Sequence, residues 1–462
     1  MEHDADFQAE NARISTWFTR AEKVVNRVSR TFPSPNDFRH WPECEEHRLS
    51  AMAACGQIQA LAIETETAAG LLNETAFYLY KKADYSNALR FYQPSLLIFL
   101  KIVGEFHAYT ATVLNNLALL FDALGAYDQA LPLYQQALAI REQVLGEENQ
   151  DTSASVDNLA ALHYVLGDYQ QSLPLYQRAL AIRQKILPDN HPDLAASFAN
   201  LGELYRVKGD YALALQFQQE AVQVWETAFD TNHPDTATAI NNLAMLHKDC
   251  GDYPQALVLY KQALDIREHV LGKDHPETAN TLNNLAMLHV AQTAYQQALP
   301  LLQRALTIQE KSVGTDHIDT AITLSNIAEI YRMQGDLRQA LTFHNQALAS
   351  KRQALGEDHM YTCNSLNNLA LVHQALGNYG QARQLLTQAL TAYEKAVGHN
   401  HPKIAACLNN LAGLYEMEGQ FAQAESLYRQ SLTILETALG QDHPDTALVR
   451  NNWRAIQSHF QT

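Results

Sequence analysis

The sequence predicts an all-α solenoid of stacked antiparallel helix pairs, because three markers recur with one spacing of 42 residues. The first is a tetrapeptide such as NNLA, which starts at 115, 241, 283, 367 and 409 and has related forms at the steps between. The second is GDY or a variant, as at 167, 209 and 251, and the third is HP, as at 191, 233 and 275. One helix pair cannot bury its apolar face alone, whereas stacked neighbours share a continuous core.

Each unit contains two helical patterns. The first, Pro234 to Cys250 in one unit, starts with proline, which costs no hydrogen bond there. Its apolar residues recur at spacings of three and four, and Gly251 ends it. The second pattern, Tyr253 to Val270, has a broad apolar stripe. Nine such units cover 65–442, about four fifths of the chain.

The two ends lie outside this period. Residues 1–64 are predicted to form an N-terminal helical cap, with helices over Phe7–Phe32 and Glu43 to about Ile63 and a turn at Pro33–Asp37. Residues 443–462 are predicted to form a C-terminal capping helix, Asp445–Phe460, with Trp453 in the apolar slot. Terminal caps of this kind keep the end faces of a solenoid out of water.

The order of small residue, aromatic, glycine, aromatic and alanine in each unit resembles the tetratricopeptide repeat (TPR). The 42-residue form with LNNLA, GDY and LG..HP is similar to the repeats of kinesin light chains and of many bacterial proteins. The resemblance implies a right-handed superhelix whose first helices line the concave face. Residues 1–64 lack the sustained heptads of kinesin light chains.

A second resemblance concerns residues 32–80. The run TFPSPNDFRHWPEC followed by LLNETAFYLY is similar to the segment that joins nucleotide-binding modules to repeat arrays in bacterial NB-ARC-type signalling NTPases. The sequence has no GxxxxGK[ST] motif, so ATP binding by a P-loop is not expected of this chain.

Composition excludes several classes of function. The chain has 33 basic and 50 acidic residues, a net charge of −17, which disfavours nucleic-acid or polybasic membrane binding. No stretch is apolar enough to span a membrane, and five scattered cysteines fit a reduced, cytoplasmic protein. Most of the 19 histidines recur at repeat-related positions, which stacked helices separate by about 8–10 Å, too far for a shared zinc ion. No catalytic motif appears, so neither an enzyme nor a metal or cofactor is predicted.

The second residue of the tetrapeptide is asparagine in every repeat from 115 onwards, although asparagine is not a favoured residue inside helices. We expect it on the concave side, where its amide can bind the backbone of a partner peptide. The alternative is that each asparagine bonds to the neighbouring repeat and fixes the superhelix. The candidate peptide-binding residues in this row are Asn116, Asn158, Asn200, Asn242, Asn284, Asn326, Asn368 and Asn410.

Six residues after each asparagine lies a variable position. Here Arg206, Lys248 and Arg332 form a sparse basic stripe in an acidic protein. Two interpretations fit these residues: they bind acidic side chains or the C-terminal carboxylate of a peptide, or they are ordinary solvated charges. The residues directly before the asparagines, such as Asn241 and Ser325, are polar or small, which predicts a polar rather than an apolar groove.

These observations predict a non-enzymatic scaffold that binds a peptide segment of a partner protein in the concave groove. Two narrower roles follow from the resemblances. One is a sensor arm of an NB-ARC-type signalling system, and the other is a kinesin-light-chain-like cargo adaptor.

Overall fold

The computed structural model of the chain describes residues 19–33, 41–229 and 232–457. These residues form α-helices joined by short turns, and they divide into two compact units, with residues up to 158 in unit 1 and residues from 159 in unit 2. The fold is an all-helical solenoid of tandem helix pairs.

Unit 1 contains the helical residues 19–31 (α1), followed by α2 (Trp41–Leu61), α3 (Glu66–Lys81), α4 (Tyr85–Ile102), α5 (Ala108–Ala123) and α6 (Tyr127–Leu145). Helix α7 (Gln150–Val165) includes the boundary. Unit 2 continues with α8 (Tyr169–Ile186), α9 (Pro192–Val207), α10 (Tyr211–Ala228), α11 (Pro234–Asp249), α12 (Tyr253–Val270), α13 (Pro276–Ala291), α14 (Tyr295–Ser312), α15 (Ile318–Met333), α16 (Leu337–Leu355), α17 (Met360–Ala375), α18 (Tyr379–Val397), α19 (Pro402–Met417), α20 (Phe421–Ala438) and α21 (Pro444–Gln457).

The helix ends follow the chemistry of the markers. Helix α11 ends one residue before the predicted Cys250, and α12 has the predicted bounds. The Gly251 amide donates to the carbonyl of Lys248 and the Asp252 amide to that of His247, at 3.0 and 2.9 Å. Gly251 adopts φ +81°, a left-handed conformation that costs a residue with a Cβ about 1–2 kcal/mol. Glycine closes most of the first helices in this way, while Ala83 and Thr293, both with φ +59°, hold the same position after α3 and α13.

The histidines of the HP markers are helix N-caps. In each, Nδ1 accepts a hydrogen bond from the backbone amide two residues later, as in His275 to Glu277 at 3.2 Å. This satisfies an amide that has no partner inside the helix. The same cap forms at His107, His191, His233, His317, His359, His401 and His443. No group of His, Cys, Asp and Glu within the described ranges could hold a metal ion.

The terminal helices pack onto the repeats beside them. In unit 1, Val25 of α1 and Ile58 of α2 share a buried core with Leu72 and Tyr78 of α3. Residues 1–18 and 34–40, which include most of the predicted turn, lie outside the described residues. In unit 2, Trp453 of α21 packs on the core of α20, and the last predicted helical residues, 458–460, lie outside the described residues. No described helix is long and apolar enough to cross a membrane.

Candidate functional site

The first helices of the pairs lie on the inner side of unit 2. Each first helix packs against its own second helix, and in addition α9, α11 and α13 contact one another in succession, as do α13 and α15 and α17 and α19. Within the described chain, the second helices of successive pairs do not make comparable contacts with one another. The first helices are therefore closer together, which places their outward-facing residues on the concave side.

Four positions of each first helix stay partly exposed on that side. In α13 they are Asn280, Asn284, Met287 and Ala291, at helical spacings of four, three and four. We call these four rows in α9, α11, α13, α15, α17 and α19 the inner stripe. The predicted asparagine row is one of the four rows, and every member of it in unit 2 is half-buried.

Most of these asparagines bond to the preceding repeat. The Asn284 amide donates to Oδ1 of Asn241 at 3.2 Å, and that of Asn326 to Asn283 at 3.3 Å. The acceptor is the first asparagine of the preceding tetrapeptide, 43 residues earlier. In unit 2 the same bond links Asn410 to Asn367 and Asn452 to Asn409, and in unit 1 it links Asn116 to Asn73 and Asn158 to Asn115. The row is thus an asparagine ladder between adjacent repeats.

The ladder is interrupted at two positions of unit 2. The residues 43 positions before Asn242 and Asn368 are Ala199 and Ser325, neither of which has an amide oxygen in its side chain. The side chains of Asn242 and Asn368 make no hydrogen bond to any described residue, and both are half-buried on the inner stripe. Asn200 is also half-buried on this stripe.

The residues that line the inner stripe differ from those that the sequence suggested. Asn241, Asn283 and Ser325 were expected to line the groove, but they are at most 9% exposed because they lie between repeats. The rows three and seven residues after the asparagines contribute four methionines, together with the carboxylates of Glu203, Glu329 and Asp249. Met245 and Met287 are partly exposed, and Met333 and Met417 are 45% and 53% exposed. The repeat markers do not point to these rows, although their helical spacing from the asparagines places them on the same face.

The three basic residues are paired with carboxylates of the chain itself. Arg206 bonds Glu203 through Nε and Nη2 and Asp249 through Nη1, all at 2.7 Å. The hydrogen bonds with Glu203 raise the pKa of Arg206 above its usual range.

The other two basic residues have similar partners. Arg332 makes a bidentate pair with Glu329 at 2.6 and 2.8 Å, which raises the pKa of the guanidinium. Lys248 Nζ lies 3.3 Å from Asp249. The local charge of the basic stripe is therefore largely balanced within the protein.

A second row of polar side chains lies buried between repeats. Arg267 donates to the Glu277 carbonyl at 2.9 Å and to Thr281 Oγ1 at 2.6 Å. Arg141 and Arg183 make the matching bonds to Ser155 and Ser197. At the same position Lys351 donates to the hydroxyls of Ser325 and Ser365, and burial lowers the pKa of its ammonium group to about 8.

His344 is a polar residue buried in the apolar core of the described chain. It is fully buried, and neither ring nitrogen has a hydrogen-bond partner among the described residues. Burial lowers its pKa to about 4. The equivalent residues of the flanking repeats are Leu302 and Leu386, so the position belongs to the apolar core.

Comparison with known proteins defines the family. The sequence profile of the tetratricopeptide repeat matches residues 66–143, 152–227, 199–269, 235–311, 291–353, 319–395 and 361–437. No curated protein matches the chain. The proposed NB-ARC-like segment over residues 32–80 finds no support in these comparisons, since the profile matches begin at residue 66 and concern repeats only.

Three solved structures illustrate the likeness. A chain from Podospora anserina assigned to kinesin light chains, with nearly identical TPR-like repeats, is 26% identical and matches 44% of this chain and 97% of its own, with a TM-score of 0.37. BtubC (BKLC) from P. vanneervenii is 24% identical over 50% of this chain and 90% of its own, with a TM-score of 0.39. A Rap protein complexed with Competence and Sporulation Factor is 13% identical over 81% of this chain and 99% of its own, with a TM-score of 0.54. With helix pairs in the predicted register and a profile match over most of the sequence, the chain belongs to the tetratricopeptide repeat family.

Proposed function

We propose that this protein is a non-enzymatic scaffold that binds a peptide segment of a partner protein along the inner stripe of unit 2. TPR proteins generally bind protein partners, and the fold is generally a non-catalytic scaffold. The observation on which the proposal rests is the interrupted ladder: Asn242 and Asn368 present amides that no described residue engages. Such amides can bond the backbone of a peptide whatever its sequence.

The other asparagines of the row have a double role in this proposal. Each ladder asparagine uses one amide proton for the neighbouring repeat. In Asn284, Asn326 and Asn410 of unit 2, and in Asn116 and Asn158 of unit 1, the amide oxygen and second proton are the groups a guest would contact. The ladder asparagines can therefore contact a guest peptide while they keep their hydrogen bonds to the neighbouring repeat.

The methionines of the stripe, and the pairing of its carboxylates Glu203, Asp249 and Glu329 with basic residues of the chain itself, favour a mainly apolar, uncharged guest. Exposed methionines have flexible, polarizable side chains that adapt to varied apolar partners. An acidic guest would compete with Glu203 and Glu329 for Arg206 and Arg332, whose pairs are already bidentate. Specificity for acidic residues at these cations is therefore not part of the proposal.

Two narrower roles share this surface. A kinesin-light-chain-like cargo adaptor and a regulatory sensor arm would both hold their ligand on the inner stripe, so the experiment below tests what they have in common. We also propose a cytoplasmic, reducing location, since all five cysteines are free and four of them are buried.

The test uses peptides selected on the intact protein from a random 12-residue display library. Their affinity is then measured by calorimetry for the native protein and for Asn242→Ala combined with Asn368→Ala. Two lost amide contacts at about 0.5–1.5 kcal/mol each, about 1–3 kcal/mol together, correspond to roughly 5- to 150-fold weaker binding. The matched control is Gln262→Ala with Gln346→Ala, two exposed amides on the second helices α12 and α16.

The controls should bind as the native protein does. Selection of no peptide, or equal affinities of the inner-stripe and control variants, would contradict the proposal. If acidic peptides dominate the selection and lose affinity in Arg332→Gln, the preference for uncharged guests is wrong while the peptide-binding surface stands.

A further inference from the structure

Two pairs of turns far apart in sequence meet inside unit 2. Nε2 of His401 lies 3.1 Å from the carbonyl oxygen of Val165, and Nε2 of His443 lies 3.0 Å from that of Val207. Each pair is separated by 236 residues. Because both ends advance by one repeat of 42 residues, these are two copies of one contact.

The contact joins two groups that each lack a partner within their own repeat. The turn after α9 uses the carbonyls of Leu204, Tyr205 and Arg206 for the amides that follow, and no backbone amide of the described residues bonds the Val207 carbonyl. In His443, Nδ1 accepts the Asp445 amide as the N-cap, so the ring proton lies on Nε2. The cap therefore fixes the tautomer that donates to the distant carbonyl.

The turns approach so closely that only glycine fits. A Cβ at Gly167 would lie 2.9 Å from Cδ2 of His401 and from Cδ of Pro402. A Cβ at Gly209 would lie 3.0 Å from Cδ2 of His443. At Gly251 and Gly377, which have the same left-handed backbone, a Cβ would meet nothing within 4 Å. The close approach is thus specific to the first two turns.

An apolar contact accompanies these hydrogen bonds. Leu439, at the end of α20, packs against the core cluster that contains Leu201 and Leu204 of α9. Residues 208–212 and 439–444 line the same shallow cleft beside His443. Burial of apolar area adds about 25 cal/mol per Å², so this contact stabilises the junction beyond the two hydrogen bonds.

We propose that the HP turns before α19 and α21 form a clasp with the turns after α7 and α9, and that this clasp holds unit 2 closed on itself. A solenoid held only by neighbours bends at every joint, because each repeat contacts only the next one. A contact across 236 residues removes that freedom and fixes the curvature of the inner stripe. The clasp fixes this curvature whether or not the inner stripe binds a peptide.

The experiment measures the distance across the clasp by double electron–electron resonance, with spin labels at Gln177→Cys in α8 and Gln430→Cys in α20. Both positions are exposed, and Cys250→Ser removes the one exposed native thiol among the described residues. The native sequence should give one narrow distance distribution. Gly167→Ala with Gly209→Ala should shift it to longer distances and broaden it.

Two controls separate the clasp from local strain. Gly251→Ala with Gly377→Ala imposes the same left-handed strain where no distant residue is close, and should keep the narrow distribution. His401→Asn with His443→Asn keeps a good N-cap residue but removes the donor to the distant carbonyl, and should also broaden it. His275→Asn, which changes a cap only, should not. Equal behaviour of the clasp variants and their controls, or a narrow distribution in the His401→Asn and His443→Asn variant, would overturn the proposal.

Discussion

The asparagine ladder gives the sharpest quantitative test of the structure. In Asn284→Ala, the Oδ1 atom of Asn241 loses its donor while its side chain remains only 6% exposed. A buried acceptor left without a partner costs about 1–3 kcal/mol. Alanine favours the helix over asparagine by roughly 0.5 kcal/mol, so the net loss of unfolding free energy should be about 0.5–2.5 kcal/mol.

Asn242→Ala is the matched control, because it makes the same substitution one repeat earlier, where the ladder is interrupted. It gains the same helix propensity, roughly 0.5 kcal/mol, and breaks no hydrogen bond to a described residue. The two variants should therefore shift in opposite directions.

Urea unfolding followed by circular dichroism measures the difference, and hydrogen exchange in α11–α13 shows where it acts. Exchange is needed because stability in a repeat array is a sum of local terms, and a local loss can leave the global midpoint little changed. Equal shifts in the two variants, in either direction, would refute the structural role of the ladder.

Three further predictions concern buried or paired charges. His344→Leu should stabilise the protein at acid pH. The pKa of His344 is about 4 in the folded state and near 6.5 in the unfolded state, so the unfolded state binds more protons between these values. The native protein should therefore lose about 3 kcal/mol of stability as pH falls through that window, and the variant should not. The native protein should become more stable between pH 8 and about 10.5, because Lys351 keeps its proton in the unfolded state and has lost it in the folded state. Lys351→Gln should remove this rise, and urea midpoints at several pH values measure it. Arg206→Gln should lower the unfolding free energy by about 1–2 kcal/mol, since it leaves two half-buried carboxylates without their shared partner. Lys248→Gln should change the unfolding free energy by less than about 0.5 kcal/mol. Equal losses of the two variants in calorimetry would contradict this distinction.

The sequence was sufficient for the fold because its signals are local and repeated. The bounds of α12 agree with the predicted Tyr253–Val270, and α11 differs by one residue at a turn where helix and cap overlap. Proline at the helix start and glycine at its end act within a few residues, so spacing alone locates them. The TPR assignment follows from the same signals.

The site was harder to predict because it depends on contacts between repeats. The sequence places Asn284 on a helix face, but only the structure shows that its amide donates to Asn241 of the preceding repeat. Likewise, an arginine six residues after an asparagine indicates a basic position, while Glu203 three residues before Arg206 determines that its charge is already balanced. The clasp could not be predicted from the sequence, because it joins turns 236 residues apart that no local pattern relates.

The ladder explains why binding specificity should reside where the repeat departs from its own pattern. Each rung needs two asparagines 43 residues apart, so a change at the first position releases the amide at the second. Ala199 and Ser325 are such changes, and the amides they release, on Asn242 and Asn368, lie three repeats apart on the inner stripe. Restoring the rung with Ala199→Asn should therefore engage one amide proton of Asn242 and weaken peptide binding, but less than Asn242→Ala does, because the amide oxygen and the second proton stay available. The new hydrogen bond should also raise the stability of the junction.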